Sequence, residues 1–280
     1  MTATIATTRW TLKFRVASCD GFMIQILSES SHIEFILVNF ATELIHIQSK
    51  DNFMPVDLHA FKDLHQYCNA HGVQLVAVSK TKPNEDILAL YENGHRVFGE
   101  NYVQELVKKQ EELPKDIQWH FIGHLQSNKV KYIAPFVSLI HGVDSIKLLQ
   151  AIEKEAGKNN RVIPCLLQMH IAMEETKFGF DIDELRAAAA AIYLEKKFPH
   201  VQVAGLMGMA SFSENTALIQ SEFQQLKSTF DEIKSTYPEE STAFSILSMG
   251  MSSDYKTAVA CGSNMIRVGS VLFGARIIES

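Results

Sequence analysis

The sequence predicts a single (β/α)8 barrel of the TIM type over residues 54–280, preceded by an N-terminal extension, residues 1–53, that has no place in the barrel plan. Three observations carry this prediction. From Gln74 onward, short apolar runs alternate with longer amphipathic ones. The apolar runs number eight and occupy about 200 residues, the lower limit for such a barrel. The first run leads into SKTKP, which has no glycine, and no G-x-G-x-x-G or Walker A pattern occurs anywhere. An open doubly wound sheet would usually carry such a phosphate turn after its first strand.

The elements follow in order. PVDLHAFKDLHQYCNAHG sets Leu58, Phe61, Leu64 and Cys68 at helical spacing with Gly72 as a stop, and is expected to close the barrel bottom. The strand candidates are QLVAVSK (74–80), HRVFGEN (95–101), IQWHFIGH (117–124), FVSLIHGVD (136–144), RVIPCLLQMHI (161–171), VQVAGLMGMA (201–210), FSILSMGMS (244–252) and MIRVGSVLFG (265–274). Helix signals fall between them. Pro83 suits a first helical position, with Glu85 and Asp86 at the positive end of the macrodipole. Residues 183–197 are rich in strong helix formers and finish on lysines before Pro199. SSDYKTAVACG offers Ser253 as N-cap and Gly262 as C-cap. Residues 1–53 read as a lineage-specific extension or as sequence ahead of a true start at Met54.

Composition narrows the function. With 46% hydrophobic and 21% charged residues the chain has a globular profile. A net charge of -6 and a pI near 6.0 argue against a nucleic-acid or anionic-membrane surface, since both demand a basic face. The four cysteines lie far apart, with no C-x-x-C pair and no histidine cluster at ligand spacing, as in a reduced cytosolic protein without structural zinc. The apolar run IEFILVNFATELIHI, residues 33–47, is interrupted by Glu34, Asn39 and Glu43 and is too short to span a bilayer. No basic n-region or small-residue cleavage site precedes it, so a secretory signal is not expected. The expectation is a cytoplasmic monomer that handles a small molecule.

Period-two alternation gives Val76, Val78 and Lys80 one face of the first strand. A lysine there can snorkel into water, or, partly desolvated, can attack a carbonyl as a Schiff-base amine. Active sites of such barrels form at the C-terminal strand ends. Lys80 ends the first strand, Asn101 the second and His124 the third, with Ser248 and Gly250 on the seventh and Arg267, Gly269 and Ser270 on the eighth. SMGMS and RVGS place small residues where the loops after strands seven and eight often hold phosphate, although either alone suits an ordinary tight turn. Arg267 shares a face with Met265 and Gly269, and a luminal arginine is costly unless paired. Met207 and Met209 read as core filler.

LVAVSKTKP, VFGENYVQE, WHFIGHLQSNK, GLMGMA, LSMGMSSDY and IRVGSVLFGAR together resemble the signatures of the pyridoxal 5′-phosphate homeostasis proteins, whose barrel is similar to the N-terminal domain of alanine racemase. The resemblance runs from about Met54 to Ser280. It implies that Lys80 forms an internal aldimine with pyridoxal 5′-phosphate, that Ser248, Gly269 and Ser270 hold the phosphate beside Gly250, that Arg267 lies against the pyridine nitrogen, and that Asn101 lines the ring site. It further implies a carrier that sequesters the cofactor and supplies it to apo forms of pyridoxal phosphate-dependent enzymes, without substantial catalysis. An amino-acid racemase and a Schiff-base aldolase on a phosphorylated substrate are the alternatives. Racemization calls for a second base from a following domain, which the residues after VLFG are not expected to supply. Lys82, Lys177 and Lys256 are candidate relays for transfer, or simply solvated loop charge.

Overall fold

In the computed structural model, the residues described are 4–7, 10–13, 56–172, 178–239 and 241–274. The chain divides into two units at the Met54–Pro55 junction. The first contributes the antiparallel hairpin β1 (Thr4–Thr7) and β2 (Trp10–Lys13), registered Thr4 to Lys13 and Thr7 to Trp10.

The second unit is the predicted barrel. Its staves are β3 (Gln74–Val78), β4 (Val97–Glu100), β5 (Gln118–Phe121), β6 (Leu139–Val143), β7 (Ile163–Gln168), β8 (Val201–Met207), β9 (Ile246–Ser248) and β10 (Met265–Val268). They form a closed parallel sheet in chain order, and β10 returns to pair with β3, Arg267 opposite Val76. Helices follow the staves: α2 (Asn84–Glu92), α3 (Val103–Glu112), α4 (Val130–Ile133), α5 (Ile146–Lys158), α6 (Ile182–Tyr193), α7 (Thr216–Thr236), α8 (Tyr255–Ala260) and α9 (Ser270–Phe273), with α1 (Leu58–His71) ahead of β3.

Alternation sorts two cores. Leu75, Ala77, Phe98, Trp119, Phe121 and Ile140 face outward against the helices. Val76, Val97, Leu139, Leu166, Ala204, Met207 and Met265 fill the lumen, with Met209 packed against them as expected of a filler. Burying the outer layer supplies most of the drive to fold, at about 25 cal/mol per Å² of apolar surface.

Five expectations shift. Phe61, Leu64 and Cys68 of α1 join the outer layer rather than the luminal cluster, and the Asp57 N–H donates to the Leu272 carbonyl at 2.9 Å. Helix α1 therefore packs on the wall beside the closing seam and does not close the bottom. Asp57 caps its start, and Gly72 ends it in the left-handed region, φ 64°. The eighth apolar run is strand only to Val268. At Gly269 the chain turns into α9, which buries Leu272 and Phe273 from a helix. Pro83 stands at the N-cap of α2 rather than inside it, and Asp254, not Ser253, precedes α8. Helix α6 stops at Tyr193, ahead of its predicted lysines, and Lys196 takes φ 50°.

Candidate functional site

Lys80 stands two residues beyond the end of β3, in the turn at the C-terminal end of that stave, and is half-buried. Its neighbours are fixed. Ser79, fully buried, donates its N–H to the Gly99 carbonyl, and the Lys82 N–H closes the turn onto the Ser79 carbonyl, each at 3.0 Å. Thr81 stands in the left-handed region, φ 63°. Lys82 turns away: its ammonium donates to the Phe273 carbonyl at 2.6 Å, which ties this turn to α9 across the seam.

Below the mouth lies a polar chain. Arg267, 4% exposed, donates through Nη1 to the Ser248 carbonyl (3.0 Å) and hydroxyl (2.7 Å), and through Nη2 to the Gly208 carbonyl (3.1 Å). Because the Ser248 hydroxyl accepts from the guanidinium, its own proton is free to go to His141 Nδ1, 3.2 Å away. His141 Nε2 then donates to His120 Nδ1 at 3.0 Å. Each tautomer in the chain follows from its neighbour. Burial lowers the affinity of both imidazoles for a proton, and for His141 the nearby His120 and Arg267 act in the same sense. Burial also brings Arg267 down to about 10, against the attraction of Asp254, so it remains a cation at neutral pH.

The loops after β9 and β10 form the upper wall. Gly250 takes φ 98°, and a Cβ there would meet the Ala258 Cβ at 2.7 Å, so the tight path past α8 requires glycine. The path brings Ser252 round to accept from the Gly269 N–H at 3.3 Å. A Cβ on Gly269 would sit 3.1 Å from the Val78 carbonyl, beside the strand that delivers Lys80. Ser270, exposed, follows at the start of α9. On the other side of β3, Asn101 directly follows β4, with its Oδ1 buried and without a hydrogen-bond donor among the described residues. A Cβ on Gly123 would come within 2.4 Å of the Asn101 carbonyl, which shows how closely the third βα loop approaches.

The predicted residues thus divide. Lys80, Asn101, Gly250, Gly269 and Ser270 gather at the mouth. Arg267 forms its floor, and Ser248, fully buried, lies beneath as a partner of Arg267. Ser252, four residues on, is the hydroxyl that stands at the glycine loops. His124 is exposed, pairs with Asp144 at 3.0 Å and stacks on Phe178. Lys256 is exposed, with its ammonium 5.9 Å from the Tyr255 ring centre, and Lys177 lies outside the described residues. The sequence reading missed Ser252, His120 and His141; alternation in WHF and LIHGV was the signal for the histidines. Among the described residues no group of three metal-ligating side chains occurs, and no helix is long and apolar enough to cross a membrane.

A half-buried amine, small-residue loops with N–H groups, an arginine floor and an amide oxygen lacking a donor suit a planar anionic ligand that carries a carbonyl. Comparison with known proteins agrees. The alanine racemase N-terminal domain family matches residues 57–277. The pyridoxal phosphate homeostasis protein of Aquifex aeolicus is 40% identical over 204 residues, covering 72% of this chain and 87% of that one. The Haemophilus influenzae protein of the same name is 36% identical over 211 residues, 74% of this chain and 87% of its own. PipY of Synechococcus elongatus, whose structure with pyridoxal phosphate bound is known, is 39% identical with a TM-score of 0.65, covering 72% of this chain and 93% of that one. Alanine racemase from Bartonella henselae shares the fold at 17% identity and a TM-score of 0.57, over 79% of this chain and 60% of its own. The chain belongs to the pyridoxal phosphate homeostasis protein family, on the barrel of the alanine racemase N-terminal domain.

Proposed function

We propose that this protein binds pyridoxal 5′-phosphate at the barrel mouth, holds it, and supplies it to apo-enzymes in the cytoplasm without substantial turnover of its own. The observation that carries the reading is the meeting of Lys80 and the glycine loops at one seam, with Arg267 beneath. When bound, the cofactor supplies an aldehyde that condenses with an amine and a ring that can act as an electron sink. Lys80 is the amine. The N–H groups of the Gly250 and Gly269 loops and the Ser252 and Ser270 hydroxyls hold the phosphate, while Ser248 fixes Arg267 rather than touching it. Asn101 faces the ring and receives a donor there. Arg267, a cation in the floor, opposes protonation of the ring nitrogen and so weakens the sink. His120 and His141, bonded to each other and kept neutral by burial, steady the floor and offer no free base for racemization.

The test is the absorption spectrum of the purified protein before and after borohydride, followed by peptide mapping. A band near the visible edge and a pyridoxyl group on Lys80 are expected. Label mainly on Lys82, Lys129 or Lys177 refutes the assignment, and a reducible protein without the band points to an aldolase. For the carrier role, the loaded protein is given to an apo-aminotransferase with a trap for free cofactor, and amino acids are followed for change of chirality. Recovered transaminase activity is expected; racemization at about 1 s⁻¹ or faster would make it an enzyme.

A further inference from the structure

Beside Asn101, the FGENYVQELVKK segment builds a buried ionic cluster that converges on the Lys80 turn. Lys109, on α3, is 5% exposed, and its three ammonium donors are all spent: on the Ser79 carbonyl (2.8 Å), Glu100 Oε1 (2.8 Å) and Glu105 Oε1 (2.6 Å). Glu100, fully buried, also accepts from the Ser79 hydroxyl at 2.6 Å. The same Glu105 oxygen accepts from the Thr81 N–H at 2.7 Å. The residues immediately before and after Lys80 are thus both held by this cluster, whose hydrogen bonds among the described residues go to Ser79, Thr81 and one another. Its grip coincides with strain. Thr81 is β-branched and sits at φ 63°, a conformation that persists only where surrounding contacts over-determine it. A helix that merely needed anchoring to the barrel would not require three charged groups aimed at one turn.

We propose that Glu100, Glu105 and Lys109 are positioning residues for Lys80: by clamping Ser79 and Thr81 they hold the turn in its left-handed form and set where the lysine amine stands in the mouth. The proposal rests on the reading that Lys80 receives the cofactor aldehyde. Released, Thr81 relaxes to negative φ and the amine swings off the line between Arg267 and the glycine loops, while the loops that hold the phosphate stay in place.

Two probes separate these effects. Pyridoxine 5′-phosphate carries the same ring and phosphate with an alcohol in place of the aldehyde, and binds without the amine. Pyridoxal 5′-phosphate, trapped by borohydride, reports capture by Lys80. Glu105→Ala is the first variant, because Glu105 is the most exposed of the three and its loss leaves no buried charge unpaired. Its expected result is retention of pyridoxine 5′-phosphate within about twofold of the unaltered protein, with capture at Lys80 and Thr81 amide protection each reduced about tenfold or more. Glu105→Gln, which keeps the acceptor, should restore both. Lys109→Met should reproduce the split where it folds. Equal weakening of the two probes, or unchanged capture despite lost amide protection, overturns the proposal and leaves the cluster purely structural. Failure of the unaltered protein to capture the aldehyde at residue 80 is seen before any substitution, and sinks the cofactor reading together with this one.

Discussion

Exchange of Ser248 for alanine isolates the floor of the site from its phosphate loops. The Ser248 hydroxyl accepts from the buried Arg267 guanidinium at 2.7 Å and serves His141 Nδ1 at 3.2 Å. A hydrogen bond to a charged group contributes about 1.5–3 kcal/mol and one between neutral groups about 0.5–1.5, so Ser248→Ala should cost roughly 2–4 kcal/mol. For a domain of about 150–250 residues each kcal/mol moves the thermal midpoint by about 2–4 °C, giving a fall of about 4–16 °C. Among the described residues the Ser252 hydroxyl makes one hydrogen bond, accepting from the Gly269 N–H at 3.3 Å, so Ser252→Ala should shift the midpoint little. Loss of one bond to an anion, about 1.5–3 kcal/mol, should weaken pyridoxine 5′-phosphate retention by about 10- to 150-fold. Circular-dichroism melts and titrations of both variants provide the comparison. If Ser248→Ala melts like the unaltered protein, or if it loses the phosphate ligand while Ser252→Ala keeps it, the division of labour drawn from the geometry is wrong.

Lys80→Ala should abolish the near-visible band while pyridoxine 5′-phosphate is still retained; persistence of the band would move the amine elsewhere. Deletion of residues 1–53 is proposed to leave the spectrum intact, because the barrel and its mouth are built from residues beyond them, and cofactor loss from a folded deletion product would make the extension part of the site. Stability should fall as pH drops below about 6.5. His95 (to about 4), His120 and His141 are all depressed by burial, so the unfolded chain takes up protons that the native one refuses, and their stabilisation, full above about pH 6.5, is lost toward their folded pKa values. Asp86 (to about 6) and Glu100, raised by burial, act in the opposite sense. The three histidines set the sign, and a urea midpoint at pH 5 equal to or above that at pH 7 would contradict this.

Much of this was legible before any coordinates. Alternation alone put Arg267 on the luminal face with Met265, because a strand's period does not depend on its partners. Strand ends were not legible, since apolar residues continue past them: Val271, Leu272 and Phe273 pack on the core from a helix, and the eighth run reads straight through Gly269. The proposal moves the phosphate contact within SMGMS from Ser248 to Ser252, a choice hidden from the sequence for the same reason. Which one meets the loops depends on β9 ending at Ser248 and on the left-handed turn at Gly250, and neither leaves a mark in composition. His141 and Ser248 stand 107 residues apart, so their bond belongs to the closed sheet and not to any local pattern. The pairing of Glu105 with Lys109 could be read at helical spacing. Its reach to Ser79 could not, because it needs α3 laid against β3 and β4.

Barrel closure has a consequence in time. In the proposed site the amine is carried by the first stave and the phosphate loops by the last two, and they become neighbours only when β10 pairs with β3, Arg267 opposite Val76. A chain still being synthesised, its final stave inside the ribosome, owns the lysine without the cradle. Loading with cofactor at the proposed site therefore waits until β10 has paired with β3. A ligand held at the proposed site would span the joint where an opening barrel would part, adding RT ln(1 + [L]/Kd) to the free energy that keeps it shut. In a cell short of the vitamin, the empty chains would open most readily at this seam.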